Sequence, residues 1–148
     1  MLTVERIIER QSIGAQLGKQ RDCVRMTSEE RRWVRRRITT AAGREVALAL
    51  PTGTVIRPGD ILLNEPGWYL EVEAAEEPVL AIYPRDHQTA LRVAFEVGNH
   101  HFPLALDGDA MLVPDDSAMV QLLDRLGQPW QRRSAIFDPI AKAHRHDP

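Results

Sequence analysis

Val79-Leu80-Ala81-Ile82-Tyr83-Pro84-Arg85-Asp86-His87-Gln88-Thr89-Ala90-Leu91-Arg92-Val93-Ala94-Phe95-Glu96-Val97-Gly98-Asn99 changes its period once, and that change decides the fold. The run Val79 to Tyr83 is apolar throughout and short, which reads as a buried strand. Asp86 is placed to cap a helix, because its carboxylate can accept the unpaired amides of a first turn. From His87 to about Val97, Ala90, Leu91, Ala94 and Val97 fall at helical spacing. Gly98-Asn99 is expected to supply the stop, since both residue types tolerate left-handed backbone.

Toward the C-terminus the pattern continues. Phe102 to Leu106 reads as a strand, Asp107-Gly108 as a tight turn and Ala110 to Val113 as the returning strand. Asp116 or Ser117 caps a second helix through Leu126, ended by Gly127, and Trp130 to Phe137 forms a last strand. Strand, helix, strand, strand, helix, strand is a ferredoxin-like βαββαβ order. After Pro139 the chain is polar and predicted mobile.

Toward the N-terminus the elements are shorter. Leu2-Thr3-Val4 and Ile7-Ile8 suggest strands, and Gln11 to Gln20 reads as a loop. Thr27-Ser28-Glu29-Glu30 has the spacing of a capping box. Arg31 to Arg37 is compatible with a helical turn or an irregular edge. Ile38-Thr39-Thr40 and Val46 to Leu50 flank a turn at Ala42-Gly43-Arg44, as in a hairpin. Further strands are expected at Ile61-Leu62-Leu63 and Tyr69 to Val72, after turns at Pro51-Thr52-Gly53 and Arg57-Pro58-Gly59-Asp60. The expected fold class is α+β. A β-rich, partner-binding domain covers 1–75, a ferredoxin-like domain 76–138 and a His-containing tail 139–148.

Composition bounds the function. With 27% charged and 43% hydrophobic residues the chain reads as globular. No apolar run of about 18 residues predicts a membrane span, and the start lacks a signal-peptide core. Cys23 is the only cysteine, so no intrachain disulfide can form and a cytoplasmic location fits. Cys23 itself is expected to be packed rather than ligating. Residues 1–50 hold eleven Lys/Arg against six Asp/Glu, and the remainder eight against fifteen. Such a split suggests two units with different partners.

Four of the five histidines fall in two groups, His100-His101 and His144-Arg145-His146. A neutral imidazole offers a lone pair near neutral pH and is the commonest ligand for borderline transition metals. In an extended tail residues two apart point to one side, so His144 and His146 can face one ion. Asp147 could add an oxygen and His100 a further ring. His87, in a first helical turn, is read as structural.

The chain resembles the UreE family of urease accessory proteins. The supporting residues are Arg35-Arg36-Arg37-Ile38-Thr39-Thr40, Gly43-Arg44-Glu45-Val46, Leu50-Pro51-Thr52-Gly53-Thr54, Pro58-Gly59-Asp60-Ile61-Leu62 and Gly98-Asn99-His100-His101-Phe102-Pro103-Leu104. The resemblance covers most of the length. It implies a peptide-binding N-terminal domain and a homodimer through the C-terminal domain. His101 matches the family's metal-binding histidine and His100 stands at the variable place before it. The resemblance further implies that Ni²⁺ is the cargo. The ion is held between two His101 rings, closed over by His144 and His146, and passed to the urease activation complex and its GTPase, UreG. Imidazole ligands suit Zn²⁺ as well. The chain lacks the long polyhistidine tail of some relatives, which argues against a nickel store. It also lacks extra histidines at Met111 to Asp116.

The competing reading is a non-catalytic RNA- or protein-binding module built on the Arg31–Arg37 basic edge with Trp33, since Arg pairs with phosphate and Trp stacks on bases. A net charge of −2 and 5% aromatics argue against nucleic acid. No Ser-His-Asp, paired-carboxylate or phosphate-loop pattern supports an enzyme.

Overall fold

The computed structural model describes residues 1–8 and 18–140. They separate into two compact units, the first ending at Ala75 and the second beginning at Glu76.

In the first unit, β1 (Leu2–Val4), β4 (Glu45–Ala49) and β3 (Arg35–Thr39) form one sheet in the order β1-β4-β3. A second sheet has the order β2-β6-β5, with β2 at Gln20–Met26, β5 at Ile61–Glu65 and β6 at Trp68–Ala74. Each sheet is mixed: β1 runs parallel to β4 and β2 to β6, while β3–β4 and β5–β6 are antiparallel. Alternate residues point inward, as Val46 and Leu48 do from β4 and Leu70 and Val72 from β6. These join Met26, Ile38, Leu50 and Ile56 in one core fed by both sheets, as in a sandwich.

The capping box forms: Thr27 N–H donates to Glu30 Oε1 at 2.8 Å, and Glu30 N–H to Thr27 Oγ1 at 3.3 Å. It starts only a single 3₁₀ turn, Glu30–Arg32. Arg31 is buried, 2% exposed, and donates to the Met26 carbonyl at 2.9 Å. The basic cluster therefore loses its first member to the interior. β2 is a strand the sequence pattern hid. Its inward positions are Asp22, Val24 and Met26, and an inward aspartate masks the alternation.

Asp22 is nevertheless the polar hinge of this unit. Its Oδ1 accepts from the amides of Cys23 (2.8 Å) and Ala42 (3.0 Å). Its Oδ2 accepts from Thr40 Oγ1 (2.6 Å) and Arg44 Nη1 (2.9 Å). This ties β2 to the β3–β4 turn. Arg44 also lies 3.8 Å from the centroid of the Trp68 ring, a cation–π contact.

In the second unit, β7 (Glu76–Ile82), β8 (Ala105–Asp107), β9 (Ala110–Pro114) and β10 (Gln131–Ile136) form an antiparallel sheet ordered β10-β7-β9-β8. With α1 (His87–Asn99) and α2 (Ser117–Arg125), this is the βαββαβ order expected of a ferredoxin-like unit. Leu80, Ile82, Met111 and Val113 meet Val93, Val97, Met119 and Leu123 from the helices. The other face buries Val79, Ala81, Leu112 and Phe137. Burial on both faces explains why Val79 to Ile82 is apolar without alternation. Among the described residues, no helix is long and apolar enough to cross a membrane.

The four donors around Asp22 predict the effect of its loss. Burial opposes its charge, but the bonds from Thr40, Arg44, Ala42 and Cys23 outweigh that, so the carboxyl sits below its ordinary range. A carboxyl more acidic folded than unfolded contributes stability above the unfolded value, and that contribution is lost as pH falls through the folded one. Asp22→Asn turns an amide N–H toward Arg44 or its neighbours and is expected to cost about 2 kcal/mol at neutral pH. Urea unfolding measures it. The gap between the two proteins should narrow as the medium is acidified; a constant gap would contradict the assignment.

Candidate metal centre

α1 begins at Asp86, whose side chain accepts from the Thr89 amide at 2.7 Å, the expected N-cap. Val93 and Val97 face the core. On the opposite side Leu91 and Phe95 stand one turn apart, 58% and 68% exposed. A stripe of large apolar side chains on solvent is unusual for a surface helix.

The helix does not stop where expected. Gly98 and Asn99 remain helical, and His100 is the C-cap. His101 takes the left-handed backbone instead, with φ 62°, alone among the described non-glycine residues. His101 N–H donates to the Gly98 carbonyl at 3.0 Å, and Phe102 N–H reaches back to the Val97 carbonyl at 3.1 Å. These two bonds are a Schellman ending, whose next-to-last position requires left-handed backbone. α2 ends by the same pair, Gly127 to Asp124 and Gln128 to Leu123, with Gly127 (φ 67°) in the equivalent place. The contrast is informative: α2 uses the residue without a Cβ, whereas α1 places a histidine where a side chain costs about 1–2 kcal/mol. Strain held at one residue points to a use for its side chain. Phe102 and Leu104 pack into the helix-covered core beyond it and hold the ending in place. Pro103, just after the ending, was the sequence signal for this later stop, since proline commonly follows such caps.

His101 is exposed, and its ring makes no hydrogen bond among the described residues. The His100 ring is anchored: its Nδ1 lies 2.9 Å from the Glu96 carbonyl. A carbonyl only accepts, so this bond puts the proton on Nδ1 and leaves the Nε2 lone pair outward. Ligating histidines are commonly oriented this way. Two adjacent imidazoles on a fixed helix end can offer nitrogen ligands to a soft or borderline cation. Among the described residues no three His, Cys, Asp or Glu side chains converge. The described part of one copy thus brings only the His100 and His101 imidazoles together here. His144, His146 and Asp147 lie outside the described residues. Cys23 sits half-buried in β2 of the first unit, and His87 lies in the first turn of α1.

Residues 4–75 match the family described as UreE urease accessory protein, N-terminal domain, and residues 77–148 match its C-terminal domain. A curated protein named urease accessory protein UreE from Synechococcus sp. (strain JA-3-3Ab) is 45% identical over 112 residues, covering 76% of this chain and 75% of the relative. Proteins of the same name from Burkholderia mallei (strain ATCC 23344) and Ralstonia nicotianae (strain ATCC BAA-1114 / GMI1000) are each 40% identical across 76% of this chain. Those matches span 64% and 55% of the two relatives' own lengths.

The left-handed backbone at His101 predicts an inverted stability effect. His101→Gly should raise unfolding stability by about 1 kcal/mol, because glycine adopts this conformation without strain. Paired thermal and urea unfolding of the two proteins checks it, and a less stable glycine variant would show that His101 is not strained.

Proposed function

This chain belongs to the UreE urease accessory protein family, and from that premise we propose that it is a nickel metallochaperone, carrying Ni²⁺ as cargo between two copies of itself. The family's members are accessory proteins rather than enzymes. Their name ties this chain to urease maturation. The recipient is then apo-urease, reached through the accessory complex with its GTPase UreG in the cytoplasm. The second unit carries the metal and the dimer contact, and the first unit meets partners.

The observation that carries this reading is the strained, exposed His101 at the end of the apolar stripe Leu91–Phe95. One imidazole is a poor site for a divalent ion. A twofold axis along the stripe would cover Leu91 and Phe95 with their own counterparts and bring a second His101 across from the first. His144 and His146 complete the shell from the tails. A shell shared between two copies can release its ion when they part, which suits delivery better than catalysis. Zn²⁺ competes for the same nitrogens, since ligand type alone does not separate the two ions.

Calorimetric titration with Ni²⁺, joined to light scattering, tests this. The expected result is loss of binding in His101→Ala with the dimer intact. Leu91→Glu/Phe95→Glu should give a monomer that also loses nickel although His101 is untouched. His144→Ala/His146→Ala should weaken binding and leave the dimer. Affinity should fall as the solution is acidified, because a protonated ring has no lone pair to give. Full nickel affinity in His101→Ala would overturn the proposal.

A further inference from the structure

β3 is the outer strand of its sheet, and its register with β4 determines which backbone groups stay open. Leu50 N–H donates to the Val34 carbonyl, and Thr40 N–H to the Arg44 carbonyl. Between them Arg36 faces Leu48 and Ile38 faces Val46. Hydrogen-bonded and non-bonded pairs alternate along an antiparallel ladder. Val34, Arg36, Ile38 and Thr40 therefore bond inward to β4. Arg35, Arg37 and Thr39 aim their N–H and C=O groups along the edge that no strand among the described residues covers.

The same three residues share one face of the strand, since alternate residues do, and all three are exposed. Arg35 and Arg37 make no ion pair among the described residues, and no acidic residue occurs between Glu30 and Glu45. Three other arginines in this unit are neutralised: Arg21 pairs with Glu71 and Glu73, Arg25 with Glu73, and Arg44 with Asp22. Uncompensated positive charge is thus placed on the outward-bonding residues of an edge strand.

Cationic side chains on an edge guard against indiscriminate strand pairing, but the guard is selective. It repels a basic strand and attracts an acidic one. We propose that the β3 edge receives an acidic segment of a partner protein as an added strand, its carboxylates at every second position facing Arg35 and Arg37. Residues directly opposite in such a pair share a face and interact side chain to side chain. The exposed Trp33, with the Arg36 guanidinium 5.2 Å from its ring centroid, offers an apolar stop at the head of the edge. A phosphodiester offers acceptors to the guanidinium groups, but it has no ladder of N–H donors at strand spacing to meet the outward carbonyls, as an extended peptide has. This surface is independent of His101, so a failed nickel titration would leave it standing.

The test is amide hydrogen exchange on the full chain with short blocked peptides. One alternates glutamate with threonine, a second has the same composition with its glutamates contiguous, and a third carries lysine for glutamate. Oligouridylate is the fourth probe. The alternating acidic peptide should slow exchange at Arg35, Arg37 and Thr39 and leave the inward-bonded Arg36 and Ile38 unchanged. Arg35→Glu/Arg37→Glu should weaken that peptide by about tenfold or more and admit the lysine peptide instead, which also shows that the variant is folded. No protection at the three amides, equal protection by the contiguous peptide, or protection by oligouridylate in place of the peptide would overturn the proposal.

Discussion

The hydrogen bond from Phe102 N–H to the Val97 carbonyl closes α1, and the placement of both imidazoles depends on it. That closure requires left-handed backbone one residue earlier, and the residue there is His101. Val97 is buried in the core and Phe102 packs against it, so the closure is anchored on both sides. A histidine on a free loop could be placed anywhere. This one is held at the end of a fixed helix, in a conformation its side chain disfavours, beside a second imidazole already bonded to a carbonyl. The proposed cargo site follows from that constraint together with the apolar stripe on the same helix.

The first unit shows a complementary use of charge. The net basic character of residues 1–50 does not describe a uniform surface. Arg31 is spent inside, Arg44 holds Asp22 and stacks on Trp68, and Arg21 and Arg25 are paired across the sheet. Arg35 and Arg37, without an ion pair among the described residues, stand together on one strand edge. Counting arginines would suggest a polyanion surface. Following each guanidinium to its partner leaves a narrower feature that also carries directional backbone groups.

How much was legible in the sequence depended on the range of the interactions involved. The βαββαβ order was readable because each element is announced locally: Asp86 and Asp116 as caps, Gly108 and Gly127 as turns, and helical spacing between. The capping box at Thr27 and Glu30 was equally local, but its helix is one turn long because Trp33 leaves it in extended backbone. β2 was invisible because the partners that satisfy Asp22 lie some twenty residues away in the β3–β4 turn. The parallel pairings that make both sheets mixed rest on contacts more distant still, as between Leu2 and Val46 or Gln20 and Trp68. At the site, His101 was readable as a residue, but its backbone state was not. Gly98-Asn99 offered the obvious stop, and the helix passes it with Phe102 packed against the helix-covered core and its N–H bonded back to Val97. The tail histidines lie outside the described residues, and the part proposed for them rests on their chemistry.

Native mass spectrometry of the nickel-loaded protein tests the central claim most directly, because it counts chains and ions in the same particle. A cargo site shared by two His101 rings predicts a dimer carrying one nickel and a monomer carrying none. A monomer that retains nickel, or a dimer that holds it equally well after His101→Ala, would contradict the account.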